Sequence, residues 1–302
     1  MMKMKSVQDK VFDIFNIIFM LLVLVVMLYP LWFTIIVSFS DPLAVGGGKV
    51  WILPVDPTLE AYQNVFKSDM IWIGYRNTIF YTVLGTAFNI FLTIPAAYVL
   101  SKKTLVGRNA LSWIFLFTMY FGGGLVPTYL LFKNLSLVNT PWVLIISGGL
   151  SVYNMIVTRI FFQTSIPEEI YESARIDGAS NFRMFFQIAL PLSKSIIAVM
   201  TLFYAVSRWN SYFSALVYTT KEELAPLQLV LRRILILNED MIKEITSGSI
   251  SGDQMMDALR KAQMAETMKY SLIFIASAPL LVAYPFVQKY FVKGVMIGSL
   301  KG

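Results

Sequence analysis

Residues 165–191 read S-I-P-E-E-I-Y-E-S-A-R-I-D-G-A-S-N-F-R-M-F-F-Q-I-A-L-P, a polar island in a very apolar chain. The island holds four acids, Glu168, Glu169, Glu172 and Asp177, and two arginines, Arg175 and Arg183, between long uncharged runs. The pattern predicts two short helices joined by a turn. Ser165, followed three residues later by Glu168, makes a capping box with Pro167 in the first turn. Glu168 and Glu169 stand where the helix dipole favours negative charge. Ile166, Ile170 and Ala174 recur at helical spacing and predict one apolar face. Asp177-Gly178 ends the helix, with glycine supplying the turn. Ser180 caps a second helix whose Phe182, Phe185, Phe186 and Ala189 share a face, and Pro191 closes the unit. Such a unit cannot cross a bilayer. It lies against one and offers its other face to a soluble partner, or it is a solvated loop that joins spans.

Of the 302 residues, 57% are hydrophobic and 14% are charged. Soluble domains carry about a quarter charged residues, so this is the composition of a membrane protein. The chain has no cysteine and no histidine. That removes disulfides, thiol nucleophiles, Cys/His metal sites and the usual general base. The net charge of +7 is not gathered into one basic tract. A positive-inside bias explains it better than nucleic-acid binding does.

Six uncharged or nearly uncharged runs predict an all-α protein with six transmembrane helices in one domain, 1–302. No charge occurs between Asp13 and Asp41, and the run 14–40 is too long for a signal peptide. A loop follows with Gly46-Gly47-Gly48, Trp51, Pro54 and Pro57, then a short amphipathic helix from Thr58 to Phe66 with Leu59, Tyr62 and Phe66 on one face. The glycine triplet with Lys49 lacks the spacing and the Ser/Thr of a phosphate loop, so the chain does not bind ATP itself. The second span is 77–101, with Pro95 near its end, and the third is 109–132. Phe121-Gly122-Gly123-Gly124 and Pro127 predict a broken or closely packed third helix. The fourth span is 141–158 and the fifth is 195–219. The fifth contains Arg208, which costs about 2.5–3.5 kcal/mol at span centre and so faces protein or water. A polar outer segment, 221–269, has helical stretches at Leu227–Leu237 and Met255–Met268, and the sixth span is 270–290.

Six spans put both termini and the island on one side. That side carries thirteen basic residues against six acids, whereas the opposite loops carry eleven against twelve. The basic side is the cytoplasmic one, which places the island where a soluble cytoplasmic partner reaches it.

The island resembles a known loop. Glu172-Ser173-Ala174, then Gly178, then Ile188-Ala189-Leu190-Pro191 is similar to the E-A-A-x-x-x-G-x9-I-x-L-P loop of permease subunits of bacterial ATP-binding-cassette importers. Ser173 stands where that family has its middle alanine, a small-for-small change. Trp209-Asn210 and the ending Gln288-Lys289-Tyr290-Phe291-Val292-Lys293-Gly294 through Gly298-Ser299-Leu300-Lys301-Gly302 resemble the carbohydrate branch. Phe121–Tyr129, F-G-G-G-L-V-P-T-Y, resembles a sub-branch for complex oligosaccharides. The resemblance implies a type I importer fold and a multi-pass subunit of the bacterial plasma membrane with both termini cytoplasmic. The implied partners are a second permease, a dimeric cytoplasmic ATPase and an extracellular sugar-binding protein that delivers an oligosaccharide. It places ATP and Mg on the ATPase and no cofactor in this chain. It makes residues 165–191 the coupling loop, with Glu168, Glu169, Glu172, Ser173, Ala174, Asp177 and Gly178 as docking residues. It has Lys301-Gly302 reach into the ATPase dimer.

Sugars favour aromatic faces together with hydroxyl-bonding polar groups. Candidates for a substrate path are Asn89, Tyr120, Asn154, Arg208, Trp209, Asn210 and Tyr212. Each also has an ordinary reading, as a helix-bridging amide, an interfacial aromatic or, for Arg208, a partner of an acid or carbonyl. An ion-coupled secondary transporter is the alternative, but it places acids or a proton relay within spans, and almost none occur here. A membrane-embedded enzyme lacks a histidine or cysteine to work with.

Overall fold

The structure, a computed structural model, describes residues 7–246 and 253–299. Lys3, Lys5 and the terminal Lys301-Gly302 lie outside the described residues. Helices, turns and bends make up the described residues, with no strand among them. Two compact units are formed, one from 1–68 with 231–277 and the other from 69–230 with 278–302.

In the first unit α1 (Val7–Ser38) follows the charge-free run, and none of its apolar window is buried within the chain. Only its last two turns enter a core, where Ile36 and Val37 pack with Ala44 and Val50, and Phe33 packs against them. Short α2 (Pro42–Gly46) is capped by the Asp41 carboxylate, which accepts from the backbone N–H groups of Leu43 and Ala44. The amphipathic helix forms as α3 (Glu60–Lys67), but it is rolled away from the expected face. Ala61 and Val65 are buried, whereas Leu59 and Phe66 are exposed. The Tyr62 hydroxyl explains the roll: it pairs with Ser38 Oγ at 2.8 Å, while the ring packs on Phe39.

In the second unit α4 (Asp69–Ser101) runs straight through the second span. Its buried positions include Asn77, Thr78, Tyr81, Gly85, Asn89 and Thr93, three or four residues apart for the most part. That spacing gathers polar and small residues on one face, turned to protein. The third span is two helices, α5 (Arg108–Tyr120) and α6 (Leu125–Asn134), bent by 110°. The glycine run therefore breaks the helix. Close packing is not its reason, because a Cβ added at Gly122 or Gly124 meets nothing within 4 Å.

The fourth span is also interrupted. It splits into α7 (Pro141–Ile146) and α8 (Val152–Ser165), and α8 runs past the expected end at residue 158. Next come α9 (Glu168–Ile176), α10 (Asn181–Leu192) and α11 (Lys194–Trp209), the last two meeting at 78°. The fifth span stops at Trp209, and α12 (Phe213–Tyr218) follows after a short break. Two more helices, α13 (Leu227–Thr246) and α14 (Asp253–Ser299), contribute to both units. The second helical stretch of the outer segment and the sixth span are thus one 47-residue helix that passes through Pro279 and Pro285. Among the described residues, three helices are long and apolar enough to cross a membrane, and five if each bent pair is one span.

Gly124 has φ 86° and ψ 174°, a conformation essentially reserved for glycine. Gly124→Ala is expected to cost about 1–3 kcal/mol, and Gly122→Ala to be close to neutral because its space is open and its φ is not positive. Thermal unfolding of the purified variants compares the two directly.

Candidate functional site

Residues 165–191 are built as a stiff, capped bracket. Helix α9 ends in a glycine-type cap. The Gly178 N–H donates to the Arg175 carbonyl at 3.0 Å and the Ala179 N–H to the Ala174 carbonyl at 2.9 Å, with Gly178 at φ 75°. These are the paired bonds of a Schellman motif. The start differs from the expected capping box. Ser165 belongs to α8, its Oγ is buried without a partner, and Pro167 is the N-cap. Glu168 instead reaches along the helix to Arg175 at 3.6 Å, an exposed pair of small energetic weight.

The buried face of α9 is Tyr171 and Ala174, joined by Ile166 just before it, while Ile170 is partly exposed. An aromatic ring at position 171 outcompetes the isoleucine for the cluster formed by Ile94, Ala97, Tyr98 and Leu100 of α4 with Met155 and Phe162 of α8. Tyr171 lies 6.2 Å from Tyr98, ring to ring. Ser180 does cap the second helix, accepting from the Arg183 N–H at 3.3 Å. From Met184 to Ala189 that helix widens into a π-helix. Its five-residue step buries Met184 and Ala189 on one side and leaves Phe182 and Phe186 outside, so the expected shared face of phenylalanines does not form.

The result is a two-faced bracket. Its inner face is locked to the ends of α4 and α8. Its outer face carries Glu168, Glu169, Glu172, Ser173, Asp177 and Gly178, together with Ile176 at 87% and Phe182 at 78% exposure. Ala174 is turned inward and packs instead. Ile176 and Phe182 were not among the expected docking residues; both are large apolar groups left out of the bracket's own packing, a signal visible only once the helix roll is known.

Lys102, in the turn after α4, sits at the inner root. Its Nζ faces the rings of Tyr171 and Tyr98, 4.9 Å from the centre of the latter. Loss of water there, partly offset by Glu168, brings the ammonium pKa down to about 8. Burial pushes the Tyr171 phenol up, and its hydroxyl has no hydrogen-bond partner.

The path candidates divide. Arg208 and Asn89 meet at the interruption between α7 and α8. Arg208 donates from Nε to Asn89 Oδ1 at 3.0 Å, from Nη1 to the Leu144 carbonyl at 2.7 Å and from Nη2 to the Ile145 carbonyl at 3.1 Å. Asn89 Nδ2 donates to the carbonyls of Gly148 and Gly149 at 2.8 and 2.7 Å. Gly85 makes room for the guanidinium, since a Cβ there would stand 2.9 Å from Arg208 Nε. Arg208, Asn89, Gly148 and Asn154 line a hollow of about 270 Å³ with Ser147, Ser151, Ser207 and Ser211. Phe203, Tyr204 and Ser214 complete it, and Arg208 is its one charged residue. Tyr120, Trp209, Asn210 and Tyr212 are not in its lining. Trp209 is buried and edge-on to Tyr75 at 6.4 Å, whereas Tyr120 and Asn210 are exposed. The serines at 207, 211 and 214 were passed over, although their helical spacing marks one polar face.

A membrane-embedded helical subunit with a polar hollow and a protruding, rigidly seated helix pair is the architecture of a transport permease. The chain belongs to the family described as binding-protein-dependent transport system inner membrane component, whose model matches residues 70–297. Among its relatives, Protein LplC of Bacillus subtilis is 41% identical over 97% of this chain and 96% of its own. The polygalacturonan/rhamnogalacturonan transport system permease protein YtcP of the same organism is 37% identical over 98% of this chain and 100% of its own. A chain from the crystal structure of a bacterial ABC transporter involved in the import of the acidic polysaccharide alginate superposes with a TM-score of 0.84 at 33% identity, covering 96% of this chain and 99% of that one. The protein is therefore an all-α permease subunit of the sugar and oligosaccharide ABC importers, with the type I fold.

Two outcomes test the bracket's root. Tyr171→Phe removes an unpaired buried hydroxyl worth about 1–3 kcal/mol and is expected to leave thermal stability unchanged or raised, whereas Tyr171→Ala lowers it by about 3–5 kcal/mol. Between pH 8 and 10.5 the unfolded chain holds the Lys102 proton more firmly than the folded one, so this group's contribution to stability rises with pH across that window. NMR of methyl-labelled lysines should show one midpoint near 8; a Lys102 midpoint at the ordinary lysine value would contradict the desolvated root.

Proposed function

We propose that this chain is the translocating subunit of an ATP-driven importer of oligosaccharides, coupled through residues 165–191 to a separate cytoplasmic ATPase. The single observation that carries the coupling is the two-faced bracket. Its inner face shares one cluster with α4 and α8, while its outer face holds four acids and two unpacked apolar side chains. Charged rims around exposed aliphatic and aromatic anchors are the composition of a protein-binding patch. ATP and Mg belong to the partner, and ATP binding there closes the ATPase dimer and carries the bracket with it. The bracket moves α4 and α8 as rigid levers between two states of the path.

A second, similar permease completes the path, and an extracellular binding protein delivers the sugar. The termini and bracket lie on the cytoplasmic side, in accord with the excess of basic residues there. The hollow is slightly smaller than the ~300–1,000 Å³ of ordinary ligand pockets, so in this conformation it admits part of a glycan. Its serines, Asn154 and Phe203 offer the mixture of hydroxyl-bonding and aromatic surface that a sugar needs. One relative named for polygalacturonan/rhamnogalacturonan transport and a structural neighbour named for alginate import make a glycan with acidic units a fitting cargo. Arg208 supplies the matching charge, although its Nη donors already serve backbone carbonyls and its Nε the Asn89 amide oxygen.

Phe182→Asp and Glu172→Lys alter only the exposed face. Each is expected to leave the folded permease intact and to lower sugar-stimulated ATPase activity at least tenfold, about 1.4 kcal/mol or more of docking. Unchanged stimulation in both variants, with the complex assembled, would remove the bracket from the coupling route.

A further inference from the structure

We propose that the loop Lys49–Pro54 is a membrane anchor, with Trp51, Ile52 and Leu53 set among lipids at the interface reached by the C-terminal end of α1. The three side chains are consecutive and are 69%, 68% and 68% exposed. A soluble loop with three such residues in water forgoes about 1.5–3 kcal/mol for each. The loop is not loose. Its base is held by Val50 in the core of the first unit, by the Asp41 N–H donating to the Val55 carbonyl at 3.0 Å and by the Val55 N–H donating to Ser40 Oγ at 3.2 Å.

Its depth is fixed by α1. Tyr29 Oη donates to the Trp51 carbonyl at 3.2 Å, and Trp32 Nε1 donates to the Ile52 carbonyl at 2.8 Å. Tyr29 and Trp32 precede the helix end at Ser38 by about 13 and 9 Å of axial rise. The loop therefore folds back along the span. The hydrocarbon layer takes about twenty residues. Counted from Ile14, the first residue after the last N-terminal charge, it closes near Phe33. Trp51 and Ile52 thus stand at the depth of Tyr29 and Trp32, where indole and phenol rings favour the boundary between acyl chains and headgroups.

The backbone chemistry agrees. On the acyl-chain side of that boundary water becomes scarce, and an unpaired carbonyl becomes costly. The carbonyls of Trp51 and Ile52 are paired by aromatic donors from the span, and the Trp51 indole N–H pairs with the Gly48 carbonyl at 3.0 Å. Lys49 and Asp56 flank the apolar triplet at its two ends. Apolar exposure carries on along α1, where Leu28 and Leu31, the sequence neighbours of Tyr29 and Trp32, are exposed as well. That continuity commits the occupant to lipid.

The chain has no cysteine, so once the partner subunits are made cysteine-free a single label is unambiguous. Nitroxides at Ile52→Cys, Leu53→Cys and Asp56→Cys in the assembled transporter, reconstituted into phosphatidylcholine/phosphatidylglycerol vesicles, are read by collision with oxygen and with a water-soluble nickel chelate. The expected result is several-fold more oxygen than nickel access at 52 and 53, and the reverse at 56. Nickel access at 52 and 53 equal to that at 56 would place the loop in water. Shielding from both agents would place a protein partner on it. Either result overturns the anchor. A companion measurement uses no label: brominated lipid should quench native tryptophan emission less in Trp51→Phe than in the parent, and equal quenching counts against the proposal.

Discussion

The Arg208 guanidinium and the Asn89 amide take up carbonyls that an interrupted helix leaves open inside the membrane. A helix that stops short exposes its last carbonyls, and no water is at hand in the bilayer to receive them. Here the short α7 ends at Ile146, and the carbonyls of Leu144, Ile145, Gly148 and Gly149 are all served by these two side chains. A cation at the C-terminal end of a helix is also the favourable polarity. The same device recurs along α4. Asn77 donates to the carbonyls of Glu223 and Ala225, and Tyr81 to that of Leu224. Thr78 Oγ1 accepts from the Leu227 N–H at 2.8 Å. The polar stripe of one unbroken span thus stitches the irregular segments beside it, and the hollow exists because those segments are not helical.

The stitching also decides what α4 can transmit. Its middle holds the wall of the hollow, and its last turns, Ile94 to Leu100, belong to the cluster under the bracket. Helix α8 has the same double allegiance, with Asn154 in the hollow and Phe162 in the cluster. Packed interiors do not deform smoothly, so in the proposed coupling a displacement applied at Tyr171 would reach the hollow as motion of whole helices. The Schellman cap and the Ser180 cap keep the bracket itself from absorbing that displacement.

Much of this was legible in the sequence, and the failures share a cause. The Asp177-Gly178 turn, the Ser180 cap and the break at Phe121–Gly124 follow from local chemistry, which is why they could be read one residue at a time. The roll of α3 and of α9 could not, because it depends on which ring finds a partner elsewhere: Tyr62 with Ser38, Tyr171 with Tyr98. The π-helix at Met184–Ala189 shifts the register by one residue, so a rule built on a 3.6-residue period assigns Phe182 and Phe186 to the wrong side. Arg208 announced itself as a buried cation, yet its partners are backbone carbonyls of an interrupted span, and carbonyls leave no mark on a sequence. The interruption was itself hidden, since 141–158 is apolar enough to pass for a continuous helix.

Three of the interruptions in the second unit, at Phe121–Gly124, Ser147–Ser151 and Ser193, are not equivalent mechanically. The one at Ser147–Ser151 is closed by charged and amide donors, and hydrogen bonds to a charged group are worth about 1.5–3 kcal/mol each. Opening it would cost several such bonds at once, comparable to the ~5.5 kcal/mol that a full reversal of a two-state population requires. The bend at Ser193 is covered on its inner side, where that residue is fully buried. The bend at Phe121–Gly124 has neither restraint: glycines 122 and 124 have open space where a Cβ would lie, and Gly124 takes a backbone conformation that only glycine adopts readily. Strain applied to such a chain is relieved where the restoring force is least. In this chain the glycine bend between α5 and α6 is the interruption without such restraints, while the Arg208 junction is held by all of its bonds.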